Sequence, residues 1–191
     1  MIAMLIVEWL LLDINETNCY IAACASTKQA IVVDPGEYDD RIGKTVTRLG
    51  LDVRYVFITH DHYDHTGGVN EVLRRFGGEL VSGGVSAGGR VLKDGDRVPL
   101  GNLEGTLFST PGHTPDSVCL AIADHVFVGD AVFAGAVGGT ASRSEHEQLV
   151  KAIESKIFPL GDHVRIHTGH GPCTTVGIER RFNPFFHRPS R

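Results

Sequence analysis

Between Thr59 and Gly68 the chain reads Thr-His60-Asp-His62-Tyr-Asp64-His65-Thr-Gly-Gly, which puts three histidines and two aspartates into six consecutive positions. Neutral imidazoles and ionised carboxylates are metal ligands. His60 and His62 stand only two apart, too close for a ligand pair on one helix face, so the spacing suits a loop wrapped around metal. A solvated polar loop is the alternative. With ten histidines in 191 residues, three in six positions directly behind the apolar run Tyr55–Ile58 leave little to chance.

Three further strand ends carry the same kind of residue. Ser109-Thr-Pro-Gly-His113-Thr-Pro-Asp follows the alternating Leu103–Phe108, Asp130 follows Val126-Phe-Val-Gly, and His170 follows Val164-Arg-Ile-His-Thr-Gly. Irregular backbone held by a rigid sheet is where site residues gather. The elements that must position them can be read from period and punctuation. Met1–Leu12, Thr17–Ala23, Gln29–Asp34 and Val53–Ile58 read as strands. Tyr38–Leu49, with Ile42, Val46 and Leu49 on one face and Gly50 as a stop, reads as a helix. A second helix is expected over Gly67–Phe76 and a third over Glu145–Phe158, before Pro159. Asp96–Leu100, Leu103–Phe108, Ser117–Ala123 and His125–Val128 resemble a meander, and Val164–His167 is a last strand. Ser82–Lys93 reads as a mobile loop. Its Gly84-x-x-x-x-Gly89 is followed by Arg90-Val91 and not by Lys-Ser/Thr, so it is no phosphate-cradling loop. Two strand-rich halves flanked by helices imply an α/β fold with sheet on sheet and helices outside.

Composition narrows the function classes. At 191 residues, 42% hydrophobic and 21% charged, a single domain over 1–191 can bury about 70% of its unfolded surface. The net charge of −5 argues against a nucleic-acid partner, which needs a local Lys/Arg excess. The one basic cluster, Arg180, Arg181, Arg188 and Arg191, reads as a solvated terminus. Cys19, Cys24, Cys119 and Cys173 form no Cys-x-x-Cys pair, so free thiols in a reducing, cytoplasmic compartment are expected. Met1–Leu12 lacks a basic start, contains Glu8 and is shorter than the ~20 residues of a spanning helix, so no membrane partner is expected.

In order and over nearly the whole chain, these motifs resemble the metallo-β-lactamase-fold hydrolases, whose His-x-His-x-Asp-His is here His60-x-His62-x-Asp64-His65. Asn18-Cys-Tyr-Ile, Val33-Asp-Pro-Gly36, Thr-Pro-Gly-His113-Thr, Gly-Asp130 and Gly169-His-Gly-Pro-x-Thr-Thr-x-Gly-x-Glu179 most resemble the glyoxalase II (hydroxyacylglutathione hydrolase) branch. The resemblance implies an αβ/βα four-layer sandwich with metals at one edge between the sheets. It implies two divalent ions per chain, zinc first and iron or manganese as alternatives. His60, His62 and His113 would hold one ion, Asp64, His65 and His170 the other, and Asp130 would bridge. A hydroxide shared by the ions would be the nucleophile, with Asp64 orienting it or taking its proton.

The substrate so implied is a small acyl thioester such as S-lactoylglutathione, with monomer and homodimer both open. Two features depart from that branch. Only 21 residues follow His170, where full-length enzymes carry a helical glutathione-holding domain. Gly135-Ala-Val-Gly138 is followed by Gly139-Thr140-Ala141, so the Gly135–Arg143 segment lacks the branch's Arg and Asp. A persulfide dioxygenase with one Fe(II), a lactone or other ester hydrolase, and a nuclease or non-catalytic member are the other readings. Among supporting residues, Asp34 is expected either to accept from a ligand histidine or to serve the turn alone. Thr59 and Thr66 are expected to brace the loop, and Cys173 to pack. His125, His146, His163, His167 and His187 match no family ligand. Phe182, Pro184, Phe185 and Phe186 form an apolar knot expected to pack on the protein or across a subunit interface.

Overall fold

Every second residue of a strand faces the same way, and all seven residues of Asn18–Cys24 (β2) are buried, so this one strand specifies two apolar layers. Tyr20, Ala22 and Cys24 enter one core cluster, and Cys19, Ile21 and Ala23 enter another. The computed structural model describes residues 4–84 and 88–186; expectations for Met1–Ala3, 85–87 and the tail from His187 lie outside the described residues.

The first sheet runs in the order β1 (Leu5–Leu11), β2, β3 (Gln29–Val33), β4 (Asp52–Ile58), β5 (Glu79–Ser82), β6 (Arg90–Val91). Its first three strands are antiparallel, and β3 to β6 are parallel. The second sheet is ordered β14 (Thr174–Thr175), β13 (Arg165–Thr168), β10 (His125–Gly129), β9 (Val118–Ile122), β8 (Leu103–Ser109), β7 (Arg97–Leu100). Phe57, Val81, Leu100, Leu107, Leu120 and Phe127 fill the space between the sheets. Outside the first sheet, α1 (Asp40–Leu49) and α3 (Val69–Phe76) bury Ile42, Val46, Val69 and Val72. Outside the second, α4 (Arg143–Ala152) and α5 (Val176–Phe182) contribute Leu149 and Val176 to a third cluster with Val126 and Ile166. The result is the expected four-layer αβ/βα sandwich. Among the described residues, no helix is long and apolar enough to cross a membrane.

Several boundaries differ from the sequence reading for identifiable reasons. The helix expected over Gly67–Phe76 runs from Val69 to Phe76 (α3), and a separate single turn at Tyr63–Thr66 (α2) precedes it. A Cβ at Gly68 would lie 2.4 Å from the Glu37 carbonyl carbon, so the break lets the histidine loop dock on the Pro35–Glu37 turn. α1 starts at Asp40 because the Asp39 carboxylate caps Arg41 N–H at 2.7 Å. Ser142 caps α4, and beyond Ala152 the chain widens over Ile153–Ile157 and tightens over Phe158–Leu160 instead of stopping. The expected loop Ser82–Lys93 contains β6, paired parallel to Val81–Ser82. The hairpin β11 (Val132–Phe133) and β12 (Ala136–Val137) was not foreseen, nor were β14 and α5.

The C-terminal knot is half packed. Phe186 meets Phe158 edge-on at 4.8 Å, whereas Phe182 is exposed. Buried Glu179 explains the end of the long motif. Its Oε1 accepts from Thr174 Oγ1 at 2.6 Å, and its Oε2 accepts from Gly135 N–H at 2.9 Å and Asn183 Nδ2 at 2.8 Å. Asn183 Nδ2 also reaches Ala136 O at 2.9 Å, so α5 pins the hairpin that follows Asp130. Removing one partner from buried donors costs about 1–3 kcal/mol each. Glu179→Ala strands two of them, at Thr174 and Asn183, and should lower unfolding stability by more than about 2 kcal/mol. Glu147→Ala, which removes an exposed pair with Arg143, should change it by less than about 1 kcal/mol. Urea unfolding midpoints of the two variants test this.

Candidate metal centre

Asp34 sits at the end of β3 with φ 48°, in the left-handed region that a non-glycine residue enters at a penalty. Three contacts hold it there. Its Oδ1 accepts from Thr59 N–H at 2.8 Å, and its Oδ2 accepts from Thr59 Oγ1 at 2.7 Å and faces His65 Nδ1 at 3.0 Å. A carboxylate only accepts, so His65 carries its proton on Nδ1 and turns the Nε2 lone pair inward. The Thr59 hydroxyl proton is committed to Asp34, so Thr59 Oγ1 accepts from His60 Nδ1 at 3.1 Å, and His60 Nε2 likewise faces inward unprotonated. His113 Nδ1 lies 2.7 Å from the Gly139 carbonyl, which fixes its tautomer in the same way. Asp34 therefore does accept from a histidine of the cluster. Thr66 braces the loop through its hydroxyl, which donates to His62 O at 3.1 Å.

The inward atoms converge. His62 Nδ1 lies 3.0 Å from His60 Nε2 and 3.2 Å from His113 Nε2. Asp64 Oδ2 lies 3.4 Å from His170 Nε2 and 4.0 Å from His65 Nε2. Asp130 stands between the two sets: its Oδ2 is 3.6 Å from both His113 Nε2 and His170 Nε2, and its Oδ1 is 3.5 Å from His65 Nε2. His60–His62–His113, His60–His65–Asp130 and Asp64–His65–His170 are each disposed to hold a metal ion. All seven sequence-predicted residues thus come together at one edge between the sheets.

The donor chemistry fits a cation. His65 Nε2 and Asp130 Oδ1 are buried without a hydrogen-bond partner, which native interiors rarely leave uncompensated. Burial and the neighbouring imidazoles push His60 far below the usual histidine range, keeping it neutral. Burial opposes charge on His65 too, but Asp34, Asp130 and Asp64 outweigh it and raise its pKa, a sign that the carboxylates favour positive charge at that point. Burial raises Asp130. Burial would also raise Asp64, yet the Asn15 amide and the histidines hold it below the usual range.

Some participants had no signal in the ligand motifs. Asp64 Oδ2 accepts from Asn15 Nδ2 at 3.2 Å and lies 3.5 Å from Thr17 Oγ1. Gly139 supplies a carbonyl, which any residue type could do. Cys173 is exposed, its Sγ 3.5 Å from His167 Nδ1 and 3.6 Å from Tyr20 Oη, and it joins none of the donor groups. His125 and His167 pair with each other at 2.8 Å through Nδ1 and Nε2, His146 lies beside Phe185, and His163 is exposed.

The family model described as "Metallo-beta-lactamase superfamily" matches residues 12–87, the span holding Asp34 and the His60–His65 loop. A probable polyketide biosynthesis zinc-dependent hydrolase of Bacillus velezensis is 30% identical over 161 residues, covering 80% of this chain and 72% of that protein. The chain belongs to the metallo-beta-lactamase superfamily. A hydroxyacylglutathione hydrolase of Haemophilus influenzae is 29% identical over 192 residues, 85% of this chain and 90% of its own. The crystal structure of ETHE1 from Myxococcus xanthus superposes with a TM-score of 0.83 at 28% identity, covering 94% of this chain and 83% of its own. As a superfamily member the protein is a metal-dependent hydrolase by descent, with its fold as expected from the motifs.

The histidine pair outside the cluster makes a test of its own. Burial, with His125 and Arg165 adding to it, lowers His167 to about 3. Between that value and about 6.5 in the unfolded chain, only the unfolded state takes up the proton. Stability due to neutral His167 is therefore complete above about pH 6.5 and lost as pH falls toward 3. The melting temperature should fall across this window, and His167→Gln should flatten the slope.

Proposed function

We propose that the protein is a two-metal hydrolase of small acyl thioesters of the S-lactoylglutathione type. The observation carrying the two-metal reading is Asp130 Oδ2, equidistant at 3.6 Å from one imidazole of each donor set, as a carboxylate shared between two dications would be. On this reading His60, His62 and His113 hold one ion, Asp64, His65 and His170 hold the other, and Asp130 serves both. Three neutral imidazoles suit zinc, in keeping with the zinc-dependent hydrolase among the relatives. The carboxylates of the second set also accommodate iron or manganese. Two such ions lower the pKa of a bound water and polarise an acyl carbonyl.

The chain's own residues then have few further duties. Asp64, kept ionised and aimed by Asn15 and Thr17, would orient the attacking water or take its proton. His62 is exposed and His170 part-exposed, whereas His60 and His65 are buried, so substrate approaches over His62 and His170. A thiolate of pKa about 8.5 leaves without obligatory protonation, so no added acid is needed, and thioester cleavage makes the least demand on this site. The hydroxyacylglutathione hydrolase relative supports that substrate class. The Gly135–Arg143 segment uses its main chain, at Gly139 O, to orient His113 and offers no Asp side chain for anchoring substrate. Weak anchoring away from the reacting bond raises KM and leaves kcat comparatively intact.

Zinc-replete protein should therefore cleave S-lactoylglutathione with a high KM and tolerate simpler acyl thioesters. Asp130→Asn should lower metal content and turnover together, and retention of both ions at the wild-type rate would dismiss the shared carboxylate. Steady-state kinetics should include a lactone and glutathione persulfide beside the thioesters. If no thioester turns over while persulfide drives oxygen uptake in the iron-loaded protein, a dioxygenase reading replaces this one.

A further inference from the structure

We infer that Asn18, oriented by Trp9 and backed by Tyr20, positions the His170 side of the metal centre and not the His60–His62–His113 side. This rests on the reading of His170 as a ligand. His170 lies on the turn that leaves β13, in the second sheet, while Asn18 and Tyr20 lie on β2, in the first. Asn18 reaches that turn with three hydrogen bonds to main-chain carbonyls. Its main-chain N–H donates to Gly169 O at 2.8 Å, and its Nδ2 donates to Thr168 O at 3.0 Å and to Gly171 O at 2.8 Å. The accepting carbonyls flank His170 on both sides. Tyr20 Oη donates to the same Thr168 carbonyl at 2.8 Å.

Trp9 settles which way the Asn18 amide points. The indole Nε1–H only donates, and it lies 2.8 Å from Asn18 Oδ1. The amide oxygen must face Trp9, so both amide protons face the His170 turn. This gives a reason for a tryptophan left 56% exposed on the edge strand β1 beside an asparagine left 1% exposed. The turn is also set against Asp130. Gly169 N–H donates to Gly129 O at 2.8 Å, and a Cβ on Gly169 would fall 2.1 Å from Asp130 Oδ1. Movement of the turn therefore shifts His170 Nε2 relative to both Asp64 Oδ2 and Asp130 Oδ2. The first donor set is oriented by Thr59 and Gly139 and makes no hydrogen bond with Asn18, Trp9 or Tyr20 among the described residues. Loss of the clamp should strike one ion and spare the other, which general destabilisation would not do.

The test is zinc titration of chelator-stripped protein by calorimetry, with bound zinc counted by elemental analysis. Wild type should take up two ions. Asn18→Leu, close in volume but without donors, should bind one ion within about threefold of wild type and the other 10–100-fold more weakly, the range for lost partners of metal ligands. Trp9→Phe, which keeps an aromatic ring and removes the N–H, should weaken the same ion in the same direction. If Asn18→Leu does not fold, Trp9→Phe and Tyr20→Phe decide the matter. Both ions within threefold of wild type in the folded variants, or both weakened alike, overturns the clamp. Fewer than two ions in wild type instead overturns the two-metal reading, and the role of His170 as a ligand with it.

Discussion

The Asp34 carboxylate is the constraint on which the rest of the site depends. It accepts from Thr59 at two atoms and from His65 at a third, and through the Thr59 hydroxyl it also dictates the tautomer of His60. One buried acceptor thus turns two imidazole lone pairs inward. Ligand orientation by such outer partners tunes both the geometry and the basicity of a metal site. The left-handed backbone at Asp34 is the penalty for placing that carboxylate at a strand end. It is tolerated because three hydrogen bonds over-determine it.

Asp34 can reach both histidines only because two turns approach closely. A Cβ at Gly36 would lie 1.6 Å from the Asp64 carbonyl oxygen, so the Asp34 turn and the histidine loop pack backbone on backbone. On the other side, Gly169 gives the Asp130 carboxylate room. The sheets must therefore hold four strand ends at fixed separations, and the Phe57, Leu107, Leu120 and Phe127 layer between them does so. Close-packed interiors deform little, which is why ligands on turns can still be positioned closely enough to act together.

The ligand types, their order and the layer architecture were legible in the sequence because each depends on local pattern. His60-x-His62-x-Asp64-His65 is contiguous, and the buried strands β2, β4 and β10 are short apolar runs ended by turn residues. What could not be read was set by tertiary contact. The break at Gly67-Gly68 follows from docking on Pro35–Glu37, and β6 and β14 exist only because longer strands lie beside them. Asn15 looks like an ordinary turn residue and Thr17 like a strand start until Asp64 is seen beside them. His125 and His167 were rightly kept apart from the ligands, but their pairing across the parallel strands β10 and β13 has no trace in a linear reading. The tail reading held for Phe186, which packs on its own chain, whereas Phe182 does not pack on its own chain, because what packs there is the Glu179–Asn183 hydrogen-bond set, with a single aromatic contact beside it.

Each donor set joins a fixed histidine to an open one. The histidines nearest Asp34 are almost wholly buried, with each outer ring nitrogen tied to a committed acceptor. His62 and His170 stand in or near solvent, and the His170 turn is borrowed from the opposite sheet through side-chain amide and hydroxyl donors. Water competes for hydrogen bonds at an exposed rim and not in a buried wall, so the exposed His62 side is where geometry can adjust as a substrate arrives. A site open on one side and fixed on the other holds its ligands in place while leaving room for an acyl group. It also places the variable part of recognition beside His113, where the Gly135–Arg143 segment departs from the sequence pattern the chain otherwise resembles.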